Sequence, residues 1–348
     1  MAKRRLENDI LRRVLPSIEE SEAANVGPWS MYLPFSQDGP DKVETLWRPK
    51  TPAPQFQPGA WAKALAFTSG LLPRQSIGVL SLEDAIHGVP STTDEMDEPS
   101  GMDTNTNSGT PFVISPWYPG TKYVGEKGQE ILEAYQWYVD AAKYWLDEWR
   151  NGSEDVPVLT AIVGMRLVQK GPKPYSLKSK RVVEAFSKHE AFMWKIFSPT
   201  TMEGMMRYIN PGGVQLMCGW TNLSNIDLQM QTMLRHAEKN GRVVLSGDVS
   251  NFDATLPPQC IMDVGAVVAG WVRGHERVVL NLVDQMVNKT QLLTPTKIWK
   301  AGSSSLKSGS GGTNLLGSLT NLTILRYGVE LGLYNIDNVC VLGDDFVI

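Results

Sequence analysis

The chain has 348 residues, 42% of them hydrophobic and 20% charged, which is enough for two or three subdomains around a substantial core and excludes a peptide, a disulfide miniprotein and a wholly disordered regulator. No apolar run reaches the roughly 18 residues that would cross a bilayer. The segment from Met1 to Ser17 mixes Arg4, Arg5, Arg12 and Arg13 with Glu7 and Asp9 and lacks the apolar stretch of a secretory signal, so a soluble, non-exported protein is expected.

The formal net charge of -4 argues against a surface that is basic throughout. The charge is unevenly spread. Between Ala161 and Lys195 eight Lys or Arg stand against two Glu, whereas Glu83 to Asp103 holds seven acids and no Lys or Arg, so a confined basic channel is compatible with an acidic total. Cys218, Cys260 and Cys340 are far apart with no CxxC pair, and the four histidines are scattered. Neither a zinc site nor a disulfide framework is expected, and a reducing setting fits.

In chain order, a short basic amphipathic helix leads into a connector from Pro34 to Pro58 that carries six prolines, and residues up to about 60 read as an N-terminal arm. From Gln129 to Arg150 the residues Ile131, Tyr135, Tyr138, Ala142, Trp145 and Trp149 recur at three- and four-residue steps, and Gly152 supplies a stop. This predicts a helix whose aromatic face packs in the core rather than stacking on bases. Val158 to Val163 reads as a buried strand, and Asn225 to Asn240 as a helix ended by Gly241. Arg242 to Leu245 reads as a short strand delivering the chain to Ser246-Gly247-Asp248. Thr313 to Leu333 reads as a helix. The chain closes with two apolar runs, Asn338 to Leu342 and Phe346 to Ile348, around Gly343-Asp344-Asp345, which is a hairpin signature.

Two strand ends that each finish in aspartate, Asp248 and Asp344 with its neighbour Asp345, would repel if brought together, by roughly 4 kcal/mol for two carboxylates about 4 Å apart at an effective dielectric of 20. A hard divalent cation relieves that repulsion, because Mg²⁺ takes one or two carboxylates plus phosphate oxygens and water. The pattern therefore suggests two-metal phosphoryl chemistry. Taken alone, Gly-Asp-Asp is equally a polar turn. What separates the two readings is the co-occurrence, in order, of Asp248-Val249-Ser250-Asn251-Phe252-Asp253, of Ser308-Gly309-Ser310-Gly311-Gly312-Thr313-Asn314, and of Gly343-Asp344-Asp345.

These three segments resemble motifs A, B and C of the RNA-dependent RNA polymerases of RNA viruses: the D-x4-D pattern, the SGxxxT loop before a helix, and the GDD hairpin. Lys178-Ser179-Lys180-Arg181-Val182-Val183-Glu184-Ala185 resembles motif F, the basic fingers strand, with Arg166 and Lys170 as further members. Asn107-Ser108-Gly109-Thr110-Pro111 resembles motif G, the loop against which the template rests. The resemblance runs from about residue 105 to the end, and its flavour is most like the picobirnavirus and partitivirus group.

The resemblance implies that Asp248, Asp344 and Asp345 form the catalytic and metal-binding set, with Asp248 and Asp344 holding two Mg²⁺ ions, or Mn²⁺, and Asp345 tuning the site. It implies a ribose-reading network of Asp253, Ser308 and Asn321, since a 2′ hydroxyl distinguishes RNA from DNA. Gly309 and Thr313 belong to the nucleotide loop. Lys178, Lys180, Arg181 and Arg166 would neutralise the triphosphate, and Ser108, Gly109 and Pro111 would hold the template. A phosphate-binding P-loop fits the glycine run less well, because the Gly-Lys-Ser/Thr ending is absent.

The chain departs from the family pattern in two places. Gly317 stands where many positive-strand virus polymerases carry Asn, so the ribose contact is transferred to Asn321. The sequence also ends three residues after Asp345, without the regions of motifs D and E and the thumb, so a fragment with weak or no synthesis of its own is expected.

The fold implied is α/β (α+β), a right hand with helical fingers and a palm built on an antiparallel β-sheet. Its expected parts are 1–60 as arm, 61–207 as fingers, 208–265 as palm with motif A, 266–305 as a fingers–palm connection, and 306–348 as palm with motifs B and C. Expected partners are template and product RNA, nucleoside triphosphates and capsid protein, without a membrane, in the host cytoplasm or virion interior. Two rival readings stay open. A reverse transcriptase shares the palm logic but usually has an aromatic residue where Asp253 stands. A non-catalytic RNA-binding or capsid-associated protein on a polymerase scaffold would have no reason to gather acids where an RNA backbone must pass.

Overall fold

In the computed structural model the residues described are 43, 55–88, 132–167, 180–249, 251–294, 298–300 and 306–348. The expected N-terminal helix, most of the proline-rich connector, the template loop with Ser108, Gly109 and Pro111, and Lys178 lie outside them. The chain divides into two compact units, Met1–Thr45 with Val163–Val183, and Leu46–Ile162 with Glu184–Ile348. The described part of the first is mainly strand, from β1 (Leu159–Leu167) and β2 (Lys180–Ala185).

The second unit is mostly helical. It holds α1 (Pro58–Ser69), α2 (Leu82–His87), α3 (Leu132–Arg150), α4 (Lys188–Lys195), α5 (Ser198–Met206), α6 (Leu223–Asn240), α7 (Phe252–Thr255), α8 (Pro258–Trp271), α9 (Glu276–Asn288) and α10 (Thr313–Glu330). On α3, Tyr138, Ala142, Leu146 and Trp149 are buried one above another, and the Trp149 indole donates to the Asp155 carbonyl at 2.8 Å. Of the expected stripe, Tyr138, Ala142 and Trp149 are core and Trp145 is partly buried against it, while Ile131 and the Tyr135 side chain lie outside the described residues. Helix α6 begins at the Asn222 cap, whose side chain accepts from the Asn225 amide at 2.9 Å, and ends at Gly241 in the left-handed region.

Helix α10 is buried nearly all round, with Leu315, Leu316, Leu319, Leu322 and Leu325 in the core. Each such leucine contributes about 2 kcal/mol, so the helix is anchored by packing rather than by propensity. On the α1 side of the helix the Thr323 hydroxyl meets that of Thr68 at 2.8 Å.

Strands β4 (Thr290–Leu293) and β5 (Ile298–Trp299) join β1 and β2 in a sheet of order β2-β1-β4-β5. Within it Leu159 to Ile162 pair in parallel with Thr290 to Leu293. The second sheet is antiparallel, with β7 (Asp345–Val347) between β3 (Ser246–Asp248) and β6 (Cys340–Leu342). Expected Arg242–Leu245 is not a strand. Its residues have no neighbouring strand to pair with except at Leu245, which exchanges amide bonds with Ile348 at 2.8 and 2.9 Å, and Val243 is 79% exposed. The strand proper is the Ser246–Asp248 segment beyond it.

The cysteines differ from the sequence expectation. Cys218 and Cys340 form a disulfide with Cα atoms 6.4 Å apart. The cause is a long-range contact that chain spacing does not encode. A 3₁₀ turn at Cys218–Trp220 lies against β6, where the Val341 amide donates to the Leu216 carbonyl at 3.2 Å. Cys260 is free and buried.

Candidate active site

The antiparallel sheet brings the acidic residues together. Asp248 is the last residue of β3 and lies directly across from Asp345 of β7, so both side chains leave the same face of the sheet. Asp344 sits in the two-residue turn between Leu342 and Asp345, which are themselves paired. Gly343, the first residue of that turn, has a φ of 59°, a conformation that glycine adopts without strain and that suits a tight hairpin. The Val249 amide donates to the Asp344 carbonyl at 3.3 Å, tying the turn to the end of β3.

Burial raises the Asp344 pKa above the ordinary carboxylate range, and the charges of Asp248 and Asp345 and a hydrogen bond with the Asp248 side chain raise it further. Among the described residues no group of three or more His, Cys, Asp or Glu side chains forms a closed metal cage. Two neighbouring carboxylates fit Mg²⁺, which keeps water and phosphate oxygens in its remaining positions, better than they fit a metal that needs a full set of protein ligands.

The turn is held from behind by α10. The Ser318 hydroxyl accepts from the Gly343 amide at 2.8 Å, and the Asn321 amide donates to the carbonyls of Gly343 at 3.0 Å and Asp345 at 3.3 Å. Asn321 is 1% exposed. Its amide is thus engaged with the backbone of the turn and not open to a ribose, so the structure gives Asn321 a supporting position in place of the expected ribose contact. A Cβ on Gly317 would lie 3.2 Å from Leu306, 3.7 Å from the Phe252 ring and 3.8 Å from the Gly343 Cα. At this one point the segments around Asp253, Thr313 and Asp344 meet, and any side chain there would press on Leu306.

Asp253 lies in the first turn of α7 and is partly buried. Asn251, which caps that helix, is in the left-handed region at φ 53°. The 307–313 loop closes on itself: the Ser310 amide donates to the Lys307 carbonyl at 3.1 Å, and the Thr313 hydroxyl donates to the carbonyls of Lys307 and of Ser310, the latter at 2.9 Å. Ser308 is partly buried and Gly309 exposed at its tip. A Cβ on Gly309 would collide with the Glu184 carbonyl oxygen. Arg166, Lys180 and Arg181 are on β1 and β2, but their side chains lie outside the described residues.

Beneath the loop lies a buried polar cluster that sequence reasoning misses. Lys307 is 1% exposed, and burial lowers its pKa against the opposing charge of Glu184. Glu190 is 1% exposed. Its carboxylate accepts from the Ser310 hydroxyl and from the Gly311 amide at 3.2 Å. Burial raises Glu190 to about 7 despite those hydrogen bonds. His189 beside it is lowered to about 4 by burial and shares a 2.6 Å hydrogen bond with Ser187. Ser318 is legible in principle, since Asn314, Ser318 and Asn321 recur at helical spacing along one line of α10. Glu190 is not, because its partners are over a hundred residues away.

Residues including Met233, His236, Arg242, Leu325, Ile336 and Phe346 line a cleft. Neither Asp248 nor Asp344 lines it. His236 and Arg242 are paired to Asp337, at 3.6 and 3.2 Å.

The family model described as viral RNA-dependent RNA polymerase matches residues 216–348, the stretch that holds α6, α10 and the aspartate-bearing sheet. Residues 216–348 are thus similar to the viral RNA-dependent RNA polymerases. Its fold resembles that of an insertion-loop deletion mutant of the RNA-dependent RNA polymerase of a human picobirnavirus, with a TM-score of 0.62 and 19% identity over 99% of this chain and 61% of that one. It also resembles the Sicinivirus 3Dpol RNA-dependent RNA polymerase, with a TM-score of 0.56 and 18% identity over 88% of this chain and 61% of that one. The chain spans about 61% of the length of each. No match was found among curated proteins.

Proposed function

We propose that the chain forms the fingers and much of the palm of a viral RNA polymerase that transfers a nucleoside monophosphate from an NTP to a 3′ hydroxyl under direction of an RNA template. The observation that carries this reading is the proximity of Asp344 to Asp248, on the sheet that also places Asp345 opposite Asp248. Bound divalent ions would supply charge neutralisation for the phosphates and activation of the attacking oxygen. Asp248 and Asp344 would hold Mg²⁺ or Mn²⁺, while Ser318 and Asn321 keep the turn in place.

Asp253 and Ser308 would read the ribose, with Gly309 and Thr313 shaping the loop around it. Lys178, Lys180, Arg181 and Arg166 would face the triphosphate, and Ser108, Gly109 and Pro111 the template. Catalysis in such a site is mostly positioning and charge stabilisation. The division into arm, fingers, palm and connection follows the same assignment, with template and product RNA and NTPs as partners, capsid protein as a further one, and the infected cell or the virion interior as the place of action.

The test is Asp344→Ala in the complete reading frame. Loss of NTP incorporation with RNA binding retained supports the reading, and undiminished incorporation defeats it. Preference for dNTPs over NTPs would favour a reverse transcriptase instead. Nucleotide binding that ignores Mg²⁺ and Mn²⁺ would favour a non-catalytic scaffold.

A further inference from the structure

We propose that Glu190, on α4, is the positioning residue that seats the 308–312 loop and sets how well Ser308 meets an incoming nucleotide. The proposal rests on the nucleotide-binding reading of that loop given above. A carboxylate in the core is unfavourable unless its oxygens are used, and both oxygens of Glu190 are used on the same loop, one by the Ser310 hydroxyl and the other by the Gly311 amide at 3.2 Å. An apolar side chain would fill the space as well but could not hold either donor.

The rest of α4 and its approach complete the seat. A Cβ on Gly312 would lie 2.5 Å from the Trp194 indole, and one on Gly311 would lie 3.1 Å from the Ala191 Cα. The loop therefore lies flat on α4, with its tip at Gly309 stacked on the Glu184 carbonyl. From Thr313 the chain runs straight into α10, and four residues on, about 6 Å along the helix axis, Gly317 meets the Gly343 turn. The position of the loop is thus set close to the turn that bears Asp344, and the α4 hydrogen bonds to the middle of the loop come from Glu190.

The experiment compares Glu190→Gln, Ser310→Ala and the double variant in the complete reading frame, with NTP incorporation and melting temperature read in parallel. Each single variant is expected to raise KM for NTP about tenfold, the factor set by losing a hydrogen bond to a charged group, with a smaller change in kcat. The double variant is expected to be no worse than the worse single, because both remove one contact. Unchanged KM in both singles overturns the proposal, including when the melting temperature falls, as does a double variant whose loss is the product of the two. Asp344→Ala run beside them separates this outcome from failure of the polymerase reading: incorporation that survives Asp344→Ala rejects that reading whatever Glu190 does.

Discussion

The backbone of Asp344 is tied to the residue after Asp248, its carbonyl accepting from the Val249 amide at 3.3 Å, although the two aspartates come from segments nearly a hundred residues apart in sequence. Burial and its acidic neighbours raise the pKa of Asp344 above the ordinary carboxylate range, so a cation there competes with a proton. Binding of Mg²⁺ or Mn²⁺ should therefore release protons and tighten as pH rises through the range where Asp344 titrates. Calorimetric titration in two buffers of different ionisation enthalpy reads this directly. The buffer dependence should vanish in Asp344→Asn, and heats that are the same in both buffers for the wild type would contradict the assignment.

The two titrating groups on α4 act in opposite directions. Glu190, raised to about 7 from 4.5, binds its proton more tightly in the native state, so its contribution stabilises the fold as pH falls from about 7 to 4.5 and is lost as pH rises through that window. His189, lowered to about 4 from 6.5, is held neutral, so its contribution is present above 6.5 and is lost as pH falls toward 4. Between 4.5 and 6.5 the two nearly cancel. In Glu190→Gln only the histidine remains, and urea-unfolding stability should then drop on acidification by up to about 1.4 kcal/mol per pH unit relative to wild type. Parallel pH profiles for the two proteins would refute this.

Two glycine-to-alanine changes should diverge. Gly309→Ala drives a methyl group into the Glu184 backbone, which cannot give way as a side chain could. It should reduce NTP incorporation at least about tenfold and destabilise by about 1–3 kcal/mol. Gly270→Ala, near the end of α8 with nothing within 4 Å of the new atom, should be neutral or stabilise by about 0.5–1 kcal/mol. Equal melting temperatures and equal activities for the pair would show that the close approach of loop and strand constrains neither.

The Cys218–Cys340 disulfide closes a sequence separation of 122 residues and should stabilise the oxidised protein by about 2–4 kcal/mol. Dithiothreitol should lower the melting temperature of the wild type and leave that of Cys340→Ser unchanged. Cys260, buried with its thiol pushed up to about 12, should resist alkylation in the native protein, so native labelling should be absent before reduction. Rapid labelling of Cys260 under those conditions would be the contrary result.

The local elements are largely written in the sequence. The α3 stripe, the Asn240-Gly241 stop and the Gly343 hairpin each depend on short-range periodicity or on one backbone conformation, which neighbouring residues determine. The aspartate pairing is legible because acids that end two separate strands gain little from that placement unless a cation is to be held between them. What escapes is non-local. Distance along the helix points Asn321 at the ribose, but the rotation of α10 turns it toward the Gly343 and Asp345 carbonyls. Glu190 and Lys307 give no signal, since a buried charge reads in sequence as a surface one until its partner is seen. The disulfide is hidden for the same reason, and Arg242–Leu245 reads as strand because apolar alternation does not reveal whether a neighbouring strand is there to pair.

The acidic hairpin is braced by the Ser318 and Asn321 side chains of α10 as well as by its own sheet, so its orientation can be tuned from behind the carboxylates. Substitutions at Asn314, Ser318 or Asn321 would tilt the carboxylates without altering their number or charge, offering natural variation a way to adjust turnover or fidelity while leaving the acidic signature intact.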